Sequence, residues 1–255
     1  MNGGEVRATL PTLILASASP RRRELLSYLT TNFECISTDG EEHTTPLPQA
    51  VLEALPPVPL PLETHPSQLA WRKVNAACAD APESVIIGVD TIVVLDGDVL
   101  GKPRDTAHAQ AMLTRLSGRT HTVYTGLAVF QKLSEARQSL DDPHNIAALH
   151  QGQLQLALES TQVAIAELTA SEIANYVATG EPLDKAGSYG IQGLGGRLVR
   201  EVIGSYTCVV GMPLVMVHRM LTAAGVRGLA DPHEAYQRWL SDQGKEPLPC
   251  PPTFP

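Results

Sequence analysis

The chain has 255 residues, 43% of them apolar and 18% charged, enough to bury a sizeable core in one large α/β domain or two small lobes. Its formal net charge of −8 argues against a nucleic-acid polymer or an anionic membrane as the principal partner. The widely spaced Cys35, Cys78, Cys208 and Cys250 form no Cys-x-x-Cys pair, which argues against a zinc site or disulfide framework and favours a reducing compartment.

In chain order, Leu13 to Ala16 is an apolar run that breaks at Ser17 and Ser19 and is followed by Pro20 and then Arg21, Arg22 and Arg23. This predicts strand, turn and helix, with the Ser19 hydroxyl as N-cap, Pro20 at the first helical position and Leu25, Leu26 and Leu29 carrying the helix. The arginines oppose the helix dipole, whose N-terminus already carries about half a positive charge. A phosphate held by first-turn amides, serine hydroxyls and guanidinium forks resolves the conflict; a solvated basic turn with Glu24 as partial counter-ion is the alternative. Arg7 with Ala16-Ser17-Ala18 superficially resembles a secretory leader, but the apolar core is short, Pro11 interrupts its start, and cleavage would discard the strand. No run approaches the ~18 apolar residues of a membrane span.

Phe33 to Ser37 reads as a short strand ending at Asp39-Gly40-Glu41-Glu42, acids that fit either a metal-ligand cluster or a solvated turn. Prolines 46, 48, 56, 57, 59, 61 and 66 predict an extended insertion, with a short helical piece at Gln49 to Leu55. Gln68 to Asp80 reads as a helix with Leu69, Ala70, Val74 and Ala77 near one face and Lys73 beside it, where a lysine ordinarily serves solubility. Ser84 to Leu95 has the β-branched content of a central strand, with Asp90 inside it. A carboxylate in such surroundings calls for a partner or a metal; the alternative is a strand-end aspartate hydrogen-bonded to a loop. Asp96-Gly97 is a strong hairpin turn, and counting back across it sets Lys102 beside Thr91 and next to Asp90, a placement that a one-residue slip would alter.

Thr106 to Leu116 reads as a helix, followed by a turn through His121 into a strand from Val123 to Phe130; a lone histidine there is more often structural than catalytic. Residues 131 to 157 are polar and unpatterned and read as a second insertion lengthening a hairpin. Val163 to Leu168 resumes a strand, and Ser171 caps a helix through Ala178 that stops at Gly180. The glycine-dense stretch from Asp184 to Gly196 points to backbone folded tightly against a ligand. It lacks a dinucleotide fingerprint, which argues against a Rossmann-type oxidoreductase. Val199 to Ile203 and Cys208 to Val210 read as short strands, Pro213 opens an apolar helix that closes near Gly225, and the proline-rich tail reads as disordered.

Taken together, the segments resemble the Maf family of nucleoside triphosphate pyrophosphatases. The resemblance rests on Ser17-Ala18-Ser19-Pro20-Arg21-Arg22 with Leu25-Leu26, Gly88-Val89-Asp90-Thr91, Gly101-Lys102-Pro103-Arg104, Ser117-Gly118-Arg119 with His121, and Asp184-Lys185-Ala186-Gly187 through Gly190-Ile191-Gln192-Gly193. It implies an α/β fold, elongated and two-lobed, with a mixed sheet of the Maf and inosine triphosphatase type around a nucleotide cleft. A single catalytic domain is expected over residues 12–225, with insertions near 43–66 and 131–158 and a partly disordered C-terminal extension over 226–255.

The implied reaction is hydrolysis of a nucleoside triphosphate to the monophosphate and pyrophosphate with a divalent metal, Mg2+ first, with Mn2+ or Co2+ as alternatives. By position, Ser17, Ser19 and Arg22 resemble phosphate binders, Lys73 and Lys102 active-site lysines, and Asp90 the proton acceptor, with Glu42 and Asp90 at the metal. Arg21, Thr91 and Gln192 match positions that separate subgroups, and Arg21 and Gln192 resemble the dTTP/UTP group. Glu41 departs from the aspartate commoner before the second acid. A cytoplasmic homodimer is the family expectation, acting on a nucleoside triphosphate and on no nucleic-acid polymer or membrane. The competing reading is a nucleotide-binding regulator of cell division or septum formation with little turnover.

Overall fold

The computed structural model describes residues 12–38, 46–81, 83–132 and 152–244, and the backbone of 146–149. Among these, eight strands form one mixed sheet: β1 (Leu13–Ala16), β2 (Glu34–Ile36), β3 (Val85–Leu95), β4 (Asp98–Leu100), β5 (Thr120–Lys132), β6 (Ile146–Leu149), β7 (Gly152–Ile165) and β8 (Val199–Ile203). The order is β2-β1-β3-β5-β7-β6, with β4 also beside β3 and β8 beside β7. β1 runs parallel to β2 and β3, and every other pairing is antiparallel.

The helices are α1 (Pro20–Leu29), α2 (Gln49–Ala54), α3 (Pro66–Cys78), α4 (Thr106–Leu116), α5 (Ala170–Ala178), α6 (Tyr206–Val210), α7 (Leu214–Ala223) and α8 (Pro232–Asp242). Side chains alternate across the sheet, so its two faces seat separate cores. Leu13, Leu15, Val85, Ile87 and Val89 join the larger core with α1, α4, α5, α7 and α8. Ile14, Ala16 and Ile86 join a smaller core with Val51 of α2 and with Ala70, Trp71, Val74 and Ala77 of α3.

Three local readings of the sequence change. Residues 152–157, read as insertion, begin β7, which pairs with β5 from Lys132↔Gly152 to Thr120↔Ala164. The alternation Gln153-Leu154-Gln155-Leu156 is the signal of that strand, with Leu154 and Leu156 buried in the smaller core. Cys208 to Val210 is helical, because Ser205 accepts from the Cys208 amide and Gly211, at φ 101°, ends the turn. At α5 the cap is Thr169, paired with Glu172 in a capping box, in place of Ser171.

The described part of the C-terminal extension, up to residue 244, includes α8; the proline-rich tail lies outside the described residues. Trp239 of α8 is fully buried, and its indole N–H donates to Glu24 Oε1 at 2.9 Å, where Gln243 donates as well at 2.8 Å. Tyr28 donates to Asp242 at 2.7 Å and accepts Arg238 on its carbonyl at 2.9 Å. Glu24 thus serves α8, and the first turn of α1 holds no acidic residue to answer its arginines. Residues 245–255 lie outside the described part of the chain.

Candidate active site

One edge of β3 changes neighbours along its length. Residues Val85 to Gly88 pair with β1, and Val93 to Leu95 pair with β4, while β5 lines the opposite edge from Val85 to Val94. Between the two partners, Val89 to Ile92 present an edge that neither covers. β1 turns away here into Ser17 and the arginine turn, and a cleft of about 760 Å³ opens at the break. Ser17, Ser19, Arg21, Arg22, Lys73, Asp90, Thr91, Lys102 and Gln192 all line it. Glu42 lies outside the described residues.

Two glycines bring α3 close enough to take part. A Cβ at Gly88 would stand 2.3 Å from the Ala70 carbonyl oxygen, and one at Gly126 would stand 2.1 Å from the Ser67 amide nitrogen. Asp90 and Gly126 are cross-strand partners, so α3 lies directly on the sheet beside the open edge. The Ser67 hydroxyl donates to Ala157 O at 2.7 Å and fastens the helix there. Lys73, one turn along from Ala70, is therefore buried, 4% exposed, and differs from the solubilising lysine its helix predicts. Its ammonium donates to Asp90 Oδ1 at 2.8 Å and to Val89 O at 3.0 Å, and so meets one carbonyl of the uncovered edge. Asp90 is 9% exposed and faces the cleft.

Arg22 is braced rather than solvated. Its Nε–H donates to Gly211 O at 3.1 Å, one terminal nitrogen to Ser17 Oγ at 3.4 Å and the other to Thr91 Oγ1 at 3.2 Å. Thr125 donates to Cys208 O at 2.8 Å, which leaves the Thr91 hydroxyl as donor in the 3.0 Å Thr91–Thr125 bond and as acceptor toward Arg22. Thr91 thereby orients the guanidinium. Ser19 occupies the N-cap position at φ −70°, ψ 117°, but its hydroxyl makes no capping bond; its own amide donates to Ser17 Oγ at 3.2 Å. The expected cap is absent, and Ser19, Pro20 and both arginines line the cleft. Arg21 lies 3.9 Å from Asp184.

Lys102 is exposed and lines the cleft; the β3–β4 pairing ends at Val93↔Leu100, two residues short of the Lys102–Thr91 placement that the hairpin count predicts. From the glycine-dense segment, Lys185 donates to Asp184 Oδ1 and to Glu181 O, each at 2.6 Å. The Glu181 carboxylate is raised by burial, but the Gly195 and Leu194 amides and the Tyr176 hydroxyl outweigh this and hold its pKa below the usual value. His121 is buried behind the cleft, 2.8 Å from the Tyr189 hydroxyl, and burial lowers its pKa to about 4, consistent with a structural role.

Glu181, Thr38 and Tyr189 line the cleft without having stood out in the sequence. Gly180-Glu181-Pro182, between α5 and the glycine-dense stretch, was the signal available for Glu181; Thr38, whose buried Oγ1 has no hydrogen-bond partner among the described residues, carries none. No group of three His, Cys, Asp or Glu residues capable of holding a metal occurs among the described residues. Asp90 next to cationic groups is a donor set for an ion that arrives with phosphate and water ligands, as Mg2+ does, and a poor one for zinc.

A family model described as Maf-like protein matches residues 12–224. The chain is 42% identical over 227 residues to a protein of Yersinia pestis bv. Antiqua named dTTP/UTP pyrophosphatase, covering 87% of this chain and 100% of that one. It is 43% identical over 214 residues to a protein of the same name from Escherichia coli O157:H7, covering 84% of this chain and 93% of that one.

Proposed function

This chain belongs to the Maf family, and on that premise we propose that it hydrolyses dTTP, UTP and modified pyrimidine triphosphates to the monophosphate and pyrophosphate. The observation that carries the reading is the desolvated Lys73–Asp90 pair, 2.8 Å apart, in the wall of a cleft that also gathers Ser17, Arg22 and Lys102. A carboxylate fixed beside a cationic cradle suits attack of water on a phosphoanhydride more than storage of a neutral ligand.

In the proposed reaction, Asp90 accepts a proton from the attacking water as its oxygen bonds to the α-phosphorus. The bond from that phosphorus to the bridging oxygen breaks, and pyrophosphate departs with the electron pair. Lys73 holds the carboxylate in position through Oδ1. Arg22, Lys102, Ser17 and Ser19 offset the charge that grows on the leaving group, helped by the N-terminal amides of α1. Arg22 is preorganised for this by its bonds to Gly211, Ser17 and Thr91. Arg21 and Gln192 face the base, where the donor and acceptor of the Gln192 amide match the imide edge of uracil or thymine.

Asp90, with Glu42 by family resemblance, would hold a divalent ion, Mg2+ first, with Mn2+ or Co2+ as alternatives. When bound, that ion neutralises phosphoryl charge and acidifies water. The reading includes a cytoplasmic homodimer; among the described residues, no helix is long and apolar enough to cross a membrane.

A panel of nucleoside triphosphates with Mg2+ and pyrophosphate detection tests the proposal. Pyrophosphate release should be fastest from dTTP and UTP. Binding without release for every nucleotide would overturn it and leave a nucleotide-binding regulator of cell division or septum formation.

A further inference from the structure

Gln192 lies in the segment between Gly190 and Gly195, and side chains from outside that segment grip its backbone on both sides. Before Gln192, the Tyr176 hydroxyl of α5 accepts from the Gly190 amide at 3.0 Å. After it, Glu181 accepts from the Leu194 amide at 2.9 Å and from the Gly195 amide at 3.1 Å. The two grips are one unit, because Tyr176 donates to Glu181 Oε1 at 2.9 Å. In addition, Tyr206 of α6 donates to the Ile191 carbonyl at 3.0 Å.

The fit leaves no room for a Cβ at Gly193 or Gly195. A Cβ at Gly193 would stand 2.5 Å from Glu181 Oε2, and one at Gly195 would stand 2.4 Å from the Tyr176 hydroxyl oxygen. The segment's glycines therefore let the backbone approach these two side chains. Tyr176 is 6% exposed, so the clamp is anchored in the core and not in solvent.

We propose that Tyr176 and Glu181 form a positioning clamp that gives Gln192 its discrimination between uracil and cytosine rings. The inference rests on the reading of Gln192 as a base contact given above. A uracil edge offers acceptor, donor, acceptor, and a cytosine edge offers donor, acceptor, acceptor. An amide on a fixed backbone meets one of these patterns at the correct depth and angle. On a loosened segment it shifts to suit either, and the difference between the two rings shrinks. The side-chain hydrogen bonds described for Tyr176 and Glu181 run to each other and to the Gly190, Leu194 and Gly195 amides, whereas those described for Arg22 run to Gly211, Ser17 and Thr91.

The test uses Tyr176→Phe, which keeps the buried ring and removes both hydroxyl bonds, and Glu181→Gln, which keeps the shape and loses the charge. Both are made in the full-length Asp90→Asn protein so that binding is measured without turnover. Calorimetry with UTP, CTP and base-free tripolyphosphate reads the result, and the parent protein with Asp90 intact is assayed for pyrophosphate release beside them.

The expected outcome is a fall of about tenfold in the UTP-to-CTP affinity ratio, with tripolyphosphate affinity held within about twofold. A ratio unchanged in both variants overturns the clamp. So does parallel loss of tripolyphosphate binding, which would make the pair a general support of the fold. An Asp90→Asn protein that binds UTP and CTP equally overturns it as well. Discrimination that depends on the clamp, in a parent protein that releases no pyrophosphate, supports the clamp and overturns the proposed hydrolysis instead.

Discussion

The β3–β4 hairpin carries three acids, each facing a cation at nearly the same distance, and the three pairs have different consequences. Asp90 meets Lys73 at 2.8 Å, Asp96 meets Arg119 at 2.6 Å and Asp98 meets Arg115 at 2.7 Å. The Lys73 and Asp90 side chains are 5% and 13% exposed, whereas those of Arg119 and Asp96 are 46% and 57% exposed. Water and salt screen the pairs at the turn, leaving each about 0–1 kcal/mol. The Lys73–Asp90 pair has lost most of its hydration, so each partner depends on the other and on the cleft. Distance alone does not separate the desolvated pair in the cleft from the exposed pairs of the hairpin; the uncovered edge of β3 does.

The comparison is broken most severely at Asp90. Asp90→Asn should keep the fold and reduce turnover by about 10³–10⁴-fold, as loss of a general base would, and steady-state pyrophosphate release measures it. Full turnover would remove Asp90 from the chemistry. Next is Lys73→Ala, which leaves a buried carboxylate unpaired and should cost about 3–4 kcal/mol in urea denaturation, besides lowering activity.

The third test concerns His121, buried in β5 two residues beyond the exposed Arg119. Its pKa falls from 6.5 to about 4 through burial, so between those values the unfolded chain binds a proton that the native chain refuses. The corresponding stability, on the order of 3 kcal/mol, is complete above about pH 6.5 and is lost as pH falls to about 4. Denaturation midpoints at pH 7 and pH 4.5 should show it, and His121→Asn should flatten that stretch. The smallest effect is expected at the exposed turn: Arg119→Ala should change stability by less than about 1 kcal/mol and leave turnover unaltered. A loss there comparable to that of Lys73→Ala would erase the distinction between the pairs.

What could be read in the sequence was what is local. The β-branched run holding Asp90 and the Asp96-Gly97 turn are short-range signals, and together they predict the β3–β4 hairpin that leads Lys102 back to the cleft. The first residues of β7 were hidden because their alternation is Gln with Leu beside a polar stretch, which reads as a loop unless the period is counted. Burial of Lys73 had no local signal at all. It follows from Gly88 and Gly126, two residues far apart in sequence that together remove the side chains beneath α3. α6 was misread because Val209 and Val210 carry strand propensity, while Ser205 and Gly211 decide the matter by capping. Trp239 carries no local signal of its burial, since its partner Glu24 stands near the other end of the chain.

The Glu24–Trp239 bond also orders events in time. It spans 215 positions, and closing so long a loop costs roughly 5 kcal/mol of chain entropy unless the sheet has already drawn the ends together. α8 should therefore dock late in folding, after β3, β5 and β7 have paired, and leave early when the native state opens locally. The helix that presents Arg21 and Arg22 is held on its outer side by this last arrival. In hydrogen exchange, amides of α1 and α8 should exchange as one unit, ahead of the central strands, so the arginine turn would loosen while the sheet beneath it is still folded.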